Sequence, residues 1–386
     1  VRHTNLPLGY VRAFIIVMVV LHHAVLAYYV KGPLPSHGLA LVPRWWQAFP
    51  VVDPAKWSAF TPFVLFNDSY SMGVLFFVSG MFSWGSLKRK GPLPYFRDRL
   101  YRLVIPLNFM ALLGPLTYYT VYLQGGMHDG FWHEWFTLHS WPSGPAWFLE
   151  ALLAFDVIAI LLFWFAPAAL EATGRWLAAI ESPFRMILVV TLVSVVLFVP
   201  ALLQFGFYSS GILFLPVSRV VQNLAYFLVG LALGSANAAS AERDAGLISA
   251  GSGLARNWLP LSGATIAAFV LWQGLNHLSH AHYGNAIWIT LTGITFCLST
   301  ATSIFTVLAI FLRFVTRPNR AWDSLLACSF GIYLVHYVIV AWTQYAFLSI
   351  PAPGWFKGLA VFSIALALSW GVAALARRSR LIARVI

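Results

Sequence analysis

Met186-Ile-Leu-Val-Val-Thr-Leu-Val-Ser-Val-Val-Leu-Phe-Val-Pro-Ala-Leu-Leu203 holds no ionisable side chain, and Arg185 stands immediately before it. At ~1.5 Å per residue a helix over this run covers nearly the whole of a ~30 Å hydrocarbon core, so it reads as a membrane crossing. Comparable runs lie at 12–30, 70–87, 103–124, 145–168, 219–236, 259–276, 285–311, 324–348 and 357–376. The chain of 386 residues is 60% hydrophobic and 9% charged, against about 25% charged in a soluble domain. Its mean hydropathy is +0.77. The expectation is an all-α polytopic membrane protein with about ten transmembrane helices, organised as a single domain over 1–386.

Lys and Arg total 24 against 12 Asp and Glu, a net charge of +12. In a soluble chain that surplus would raise nucleic acid; here the positive-inside bias accounts for it. With the N-terminus inside, the inner segments hold Arg2, Arg12, Lys88, Arg89, Lys90, Arg97, Arg99, Arg102, Arg175, Arg185 and Arg243. Further inner residues are Arg256, Arg313, Arg317, Arg320, Arg377, Arg378, Arg380 and Arg384. The outer segments hold only Lys31, Arg44, Lys56, Arg219 and Lys357. Both termini are therefore expected in the cytoplasm, and span one is read as retained, because no small-residue cleavage site follows it promptly. Membrane lipids are the expected surroundings, with no nucleic acid and no obligate protein partner.

Two connections stand out. The outer segment 31–69 mixes Pro33, Pro35, Pro43, Pro50, Pro54 and Pro62 with Trp45, Trp46 and Trp57, a composition suited to an ordered cap at headgroup level or to an aromatic belt. The inner loop 88–102 is strongly basic, and its Arg97, Arg99 and Arg102 suit phosphate oxygens or anionic lipid headgroups. The Ala/Ser/Gly-rich stretch around 234–254 reads as a flexible surface connection.

Ionisable groups within spans cost several kcal/mol in hydrocarbon, so each needs protein, water or a function. Arg12 and His23, eleven residues apart on span one, share a helix face about 16 Å apart, while adjacent His22 turns away by about 100°. That count places His23 near the middle of the hydrocarbon core, where it serves as an acid/base group or as a neutral interhelical hydrogen-bonding residue. Glu150 and Asp156 share span four. Glu150 is at a depth compatible with His23 and is read as its supporting carboxylate; Asp156 is read chiefly as a buried partner for an arginine. Span nine contributes Tyr333 and His336, candidates for supporting or substrate contacts as well as for plain packing.

Other chemistries lack their residues. His277, His280 and His282 have no cysteine or carboxylate completing a metal shell, and no metal is expected. Cys297 and Cys328 sit in apolar runs without metal or disulfide spacing. No His-Glu-x-x-His, Walker-type glycine loop or Gly-x-Ser-x-Gly elbow occurs.

Taken in order, Arg12 followed after ten residues by His23, Leu75-Phe-Phe-Val-Ser-Gly-Met-Phe82, the basic 95–106 segment, Ala146-Trp-Phe-Leu-Glu150 and Gly331-Ile-Tyr-Leu-Val-His336 resemble the bacterial integral membrane acyltransferases of type 3. The usual Asp-Gly before the arginine is replaced by Leu8-Gly9-Tyr10-Val11. The resemblance covers nearly the full length. It implies transfer of an acyl group, acetyl in the first instance, from acyl-coenzyme A, and a catalytic role for Arg12 and His23. It further implies an acceptor among extracytoplasmic glycans or small molecules, and location in the bacterial inner membrane. Joined to the residue reading, it gives Arg12, Arg97, Arg99 and Arg102 on the donor phosphates and His23, supported by Glu150, as general base. A covalent acyl-histidine relay is the minor variant. The alternative is a transporter or flippase in which His23, Glu150 and His336 contact a carried polar molecule or relay protons.

Overall fold

The computed structural model describes residues 6–127, 130–140, 142–206, 217–239, 248–249, 251–282 and 284–385. Arg2 and Arg243 of the inner-charge ladder, and 240–247 and 250 of the 234–254 connection, lie outside the described residues. The helices are α1 (Leu6–Leu26), α2 (Phe60–Lys90), α3 (Pro92–Gly125), α4 (Phe131–Thr137), α5 (Trp147–Phe165), α6 (Pro167–Ala178) and α7 (Pro183–Phe205). They continue with α8 (Val217–Ala239), α9 (Gly253–Arg256), α10 (Trp258–His280), α11 (Ala286–Phe314), α12 (Arg320–Ala346) and α13 (Gly354–Ala376). Ten helices among the described residues are long and apolar enough to cross a membrane, and the protein is all-α and polytopic. Among the described residues there is no strand, as hydrocarbon demands of backbone that must satisfy its own hydrogen bonds.

Local chemistry sets the helix ends. Ser182 caps α7 by accepting from Arg185 N, with Pro183 behind it, and Asn285 Oδ1 accepts from Ile287 N at 2.9 Å at the start of α11, both replacing bonds that a first turn lacks. Gly91, at φ +78°, separates α2 from α3. The 88–102 segment is thus two helix ends around one glycine turn, where a loop was expected. The 31–69 segment likewise becomes helix at Phe60. Span one starts earlier than hydropathy placed it and ends at Leu26. His23 therefore lies in the last turn of α1 and not at its midpoint. Three short helices, α4, α6 and α9, escaped the hydropathy reading because none is long enough to span.

The chain divides into two compact units. One comprises Val1–Arg12, Ser69–Leu100 and Ala151–Asp323. Here α2 and α8 touch backbone to backbone. A Cβ on Gly80 would stand 2.2 Å from Phe227 O, and one on Gly230 2.1 Å from Phe77 O. Such small residues allow the van der Waals packing that joins helices in lipid. Tyr10 joins the start of α12 by donating to Asp323 Oδ1 at 2.6 Å and stacking on Trp322 at 5.6 Å.

The other unit comprises Ala13–Asp68, Tyr101–Glu150 and Ser324–Ile386. The stretch before Phe60, irregular apart from a 3-10 turn at Trp45–Gln47, is fastened by side chains. Gln124 accepts from Val52 N at 2.9 Å and donates to Val52 O at 2.6 Å, while Glu134 accepts from Leu39 N at 2.6 Å. Asp53 and Lys357, both buried, pair at 2.8 Å.

Candidate active site

In the second unit the last turn of α1 meets the middle of α12. The His23 ring lies 5.3 Å from that of His336 and 4.8 Å, edge-on, from that of Tyr337. Gln344 Nε2 donates to His23 O at 2.8 Å and to Ala24 O at 3.0 Å, fixing the helix end that carries the imidazole. Tyr333, His336, Tyr337 and Gln344 recur at helical spacing, so one face of α12 is polar and aromatic within an otherwise apolar span.

His336 is fully buried. Its Nδ1 lies 2.7 Å from Tyr333 O; a carbonyl only accepts, so Nδ1 carries the hydrogen and Nε2 of the neutral ring keeps the lone pair. That Nε2 is buried without a hydrogen-bond partner, as is Nδ1 of His23. Buried polar nitrogens left unmade cost free energy, and their presence marks a place built for something besides packing.

Around the pair, the Tyr333 hydroxyl donates to Pro145 O, holding the turn ahead of α5. Glu150, in the first turn of α5, accepts from Ser143 Oγ at 3.4 Å. The rings against His23 are those of His336 and Tyr337, and the hydrogen-bond partner of Glu150, the expected supporting carboxylate, is Ser143. Tyr118 and Tyr337 both donate to Gln47 O, at 3.1 Å and 2.6 Å, and they border a small pocket together with Thr117, Gly144, Leu113 and Leu334.

The first unit holds Arg12, Arg97 and Arg99. Asp156 is wholly buried. It accepts from the Tyr95 hydroxyl and pairs with Arg99 Nε at 3.3 Å; Arg99 also donates to Ser83 Oγ at 3.4 Å. The guanidinium lies 5.0 Å over the Tyr95 ring. Asp156 is thus the arginine partner that its place in span four called for. Arg12 is exposed and within electrostatic reach of Arg99, so two positive charges stand near each other on this unit. Arg97 is exposed elsewhere on α3, and Arg102 is exposed in the second unit. Of the arginines expected on the donor, Arg97 and Arg99 belong to the first unit and Arg102 to the second. Sequence reasoning missed Tyr95, Ser83, Tyr337, Gln344 and Gln47. The i, i+4 spacing of Tyr95 and Arg99 and the polar face of α12 were the signals available.

The family model described as an acyltransferase domain, acyltransferase family 3, matches residues 7–374. The chain belongs to this family of polytopic membrane acyltransferases, and its class of activity is acyl transfer. No curated protein and no solved structure matches it.

Proposed function

We propose that the protein transfers an acyl group, acetyl in the first instance, from acyl-coenzyme A to a hydroxyl of an extracytoplasmic glycan or related small-molecule acceptor. It does so in the bacterial inner membrane, with both termini cytoplasmic. The observation that carries this reading is His23, an imidazole with a buried, unpartnered ring nitrogen set among His336 and Tyr337 in a chain of an acyltransferase family.

His23 is the general base. It removes the acceptor's proton as the acceptor oxygen bonds to the acyl carbon; the carbon–sulfur bond breaks, and the departing thiolate recovers that proton. Arg12 and Arg99 bind donor phosphates through charge-assisted hydrogen bonds, with Arg97 and Arg102 as further donor contacts. Asp156 orients Arg99. Glu150, held by Ser143, and Tyr333 shape the surroundings of the base. The charge ladder and the family resemblance support the orientation, the donor and the acceptor class.

Purified protein and its His23→Ala variant, given acetyl-coenzyme A and envelope extract as acceptor source, test the reading through release of free thiol. Acceptor-dependent release that falls by at least about 10²-fold in the variant is expected. Equal release from both removes His23 from the chemistry. Movement of an unaltered glycan without thiol release would place the protein among transporters.

A further inference from the structure

Histidine bases in hydrolases and transferases are commonly held in one tautomer by a further group, ordinarily a carboxylate hydrogen-bonded to the other ring nitrogen. Among the described residues, no carboxylate accepts a hydrogen bond from His23. Beside Tyr337, the ring bearing an acceptor nitrogen near His23 is His336, at 5.3 Å between centroids.

We propose that His336 is the positioning residue for His23, a neutral imidazole in the role that a carboxylate fills elsewhere. The inference rests on His23 being the base and deepens that reading. Its geometry has three parts. Tyr333 O takes the Nδ1 hydrogen of His336 at 2.7 Å, which leaves a lone pair on Nε2. That Nε2 and Nδ1 of His23 are both buried and both lack hydrogen-bond partners. Gln344 pins the backbone of His23 and Ala24 from the same helix that carries His336, so both rings are referred to one rigid element.

A small ring rotation, or one bridging water, brings His23 Nδ1–H to His336 Nε2; catalytic hydrogen bonds are often long before substrate binds. His23 Nε2 is then the free base. When it takes the acceptor's proton, the resulting imidazolium is stabilised by the same Nδ1–H bond. His336 neither gains nor loses a proton: the proton moves from acceptor oxygen to His23 Nε2 and on to the thiolate. A neutral partner suits an apolar span, where a carboxylate beside the base would itself carry a desolvation cost.

The test uses His336→Leu, His336→Asn and His336→Gln in the full chain. Gln places an acceptor atom where Nε2 stands; Asn and Leu do not. With acetyl-coenzyme A and envelope extract, the Leu and Asn variants are expected to lose roughly 10–100-fold in kcat at unchanged KM for the donor, with Gln recovering most of that loss. Independently of turnover, nitrogen NMR on [15N]histidine protein should show His23 as the Nδ1–H tautomer in wild type and as a mixture in His336→Leu. Wild-type kcat in His336→Leu, equal losses in Leu and Gln, or a His23 tautomer indifferent to His336 overturns the inference. If His23→Ala turns over like wild type, the base assignment fails and carries this role with it. If His23→Ala is inactive while His336→Leu is normal, only this inference falls.

Discussion

Arg99 Nε stands 3.3 Å from Asp156 Oδ2, the carboxylate wholly buried and the guanidinium side chain 22% exposed. Breaking such a pair from one side leaves a charge in a low-dielectric interior, which costs about 3–5 kcal/mol, whereas replacing both partners with apolar groups is close to neutral. Asp156→Ala is therefore expected to unfold at markedly lower temperature in detergent, and Arg99→Met/Asp156→Leu to recover most of the loss. Activity should stay low in the double variant, because Arg99 is assigned to the donor. Equal instability in single and double variants would show that the pair is not the source of the effect.

The contact between α2 and α8 gives a steric prediction. Gly230→Ala sets a methyl 2.1 Å from Phe77 O, while a Cβ at Gly371 meets nothing within 4 Å. Gly230→Ala should separate the helices and lower thermal stability. Gly371→Ala should hold or gain stability by about 0.5–1 kcal/mol, since it relieves glycine's entropy cost in α13. Matched melting curves for the two variants would argue against the close crossing.

Lys357 and Asp53 form the ion pair that ties the stretch before Phe60 to α13. Lys357→Met strands a buried carboxylate, and segment 31–59 should become cleavable in limited proteolysis under conditions that leave the native protein whole. Lys357→Met/Asp53→Leu should restore much of the resistance. An unchanged digestion pattern in the single variant would mean that Gln124 and Glu134 suffice to hold the segment.

Glu171 on α6 sits 2.6 Å from Lys88, and the hydrogen bond from that ammonium holds its carboxyl below the usual range. A depressed carboxyl pKa stabilises the fold above the unfolded-state value, and the contribution disappears as pH falls through the folded-state value. The pair is partly exposed and screened, so at most about 1 kcal/mol is at stake. Glu171→Gln should be slightly less stable than wild type at neutral pH, and the two should converge when the carboxyl is protonated. A gap that persists in acid would assign the loss to packing.

Hydropathy was enough to find the ten spans, since length and apolar content are the physics of crossing a bilayer. It could not find α4, α6 and α9, which do not cross, nor that helix persists through Lys90 and resumes at Pro92 on either side of Gly91. Charge alone cannot tell a basic helix end from a basic loop. For the site, the depth cost of ionisable groups pointed to Arg12, His23, Asp156 and His336, and Asp156 met an arginine as its position required. Which arginine, and which ring faces His23, depended on helix rotation and tertiary contact. One-dimensional spacing constrains both too weakly to decide between Glu150 and His336.

One carbonyl oxygen, that of Gln47, takes hydroxyls from both Tyr118 and Tyr337, and Tyr337 is the ring lying edge-on against His23. The stretch around Gln47 and the imidazole thus share a mechanical linkage, like a latch and the pin it rests on. Lifting that stretch would leave the hydroxyls of the buried Tyr118 and Tyr337 without their acceptor, at a cost on the order of 1–3 kcal/mol, and free the phenol that borders the imidazole. The placement of the ring beside His23 is therefore tied to the seating of the stretch around Gln47.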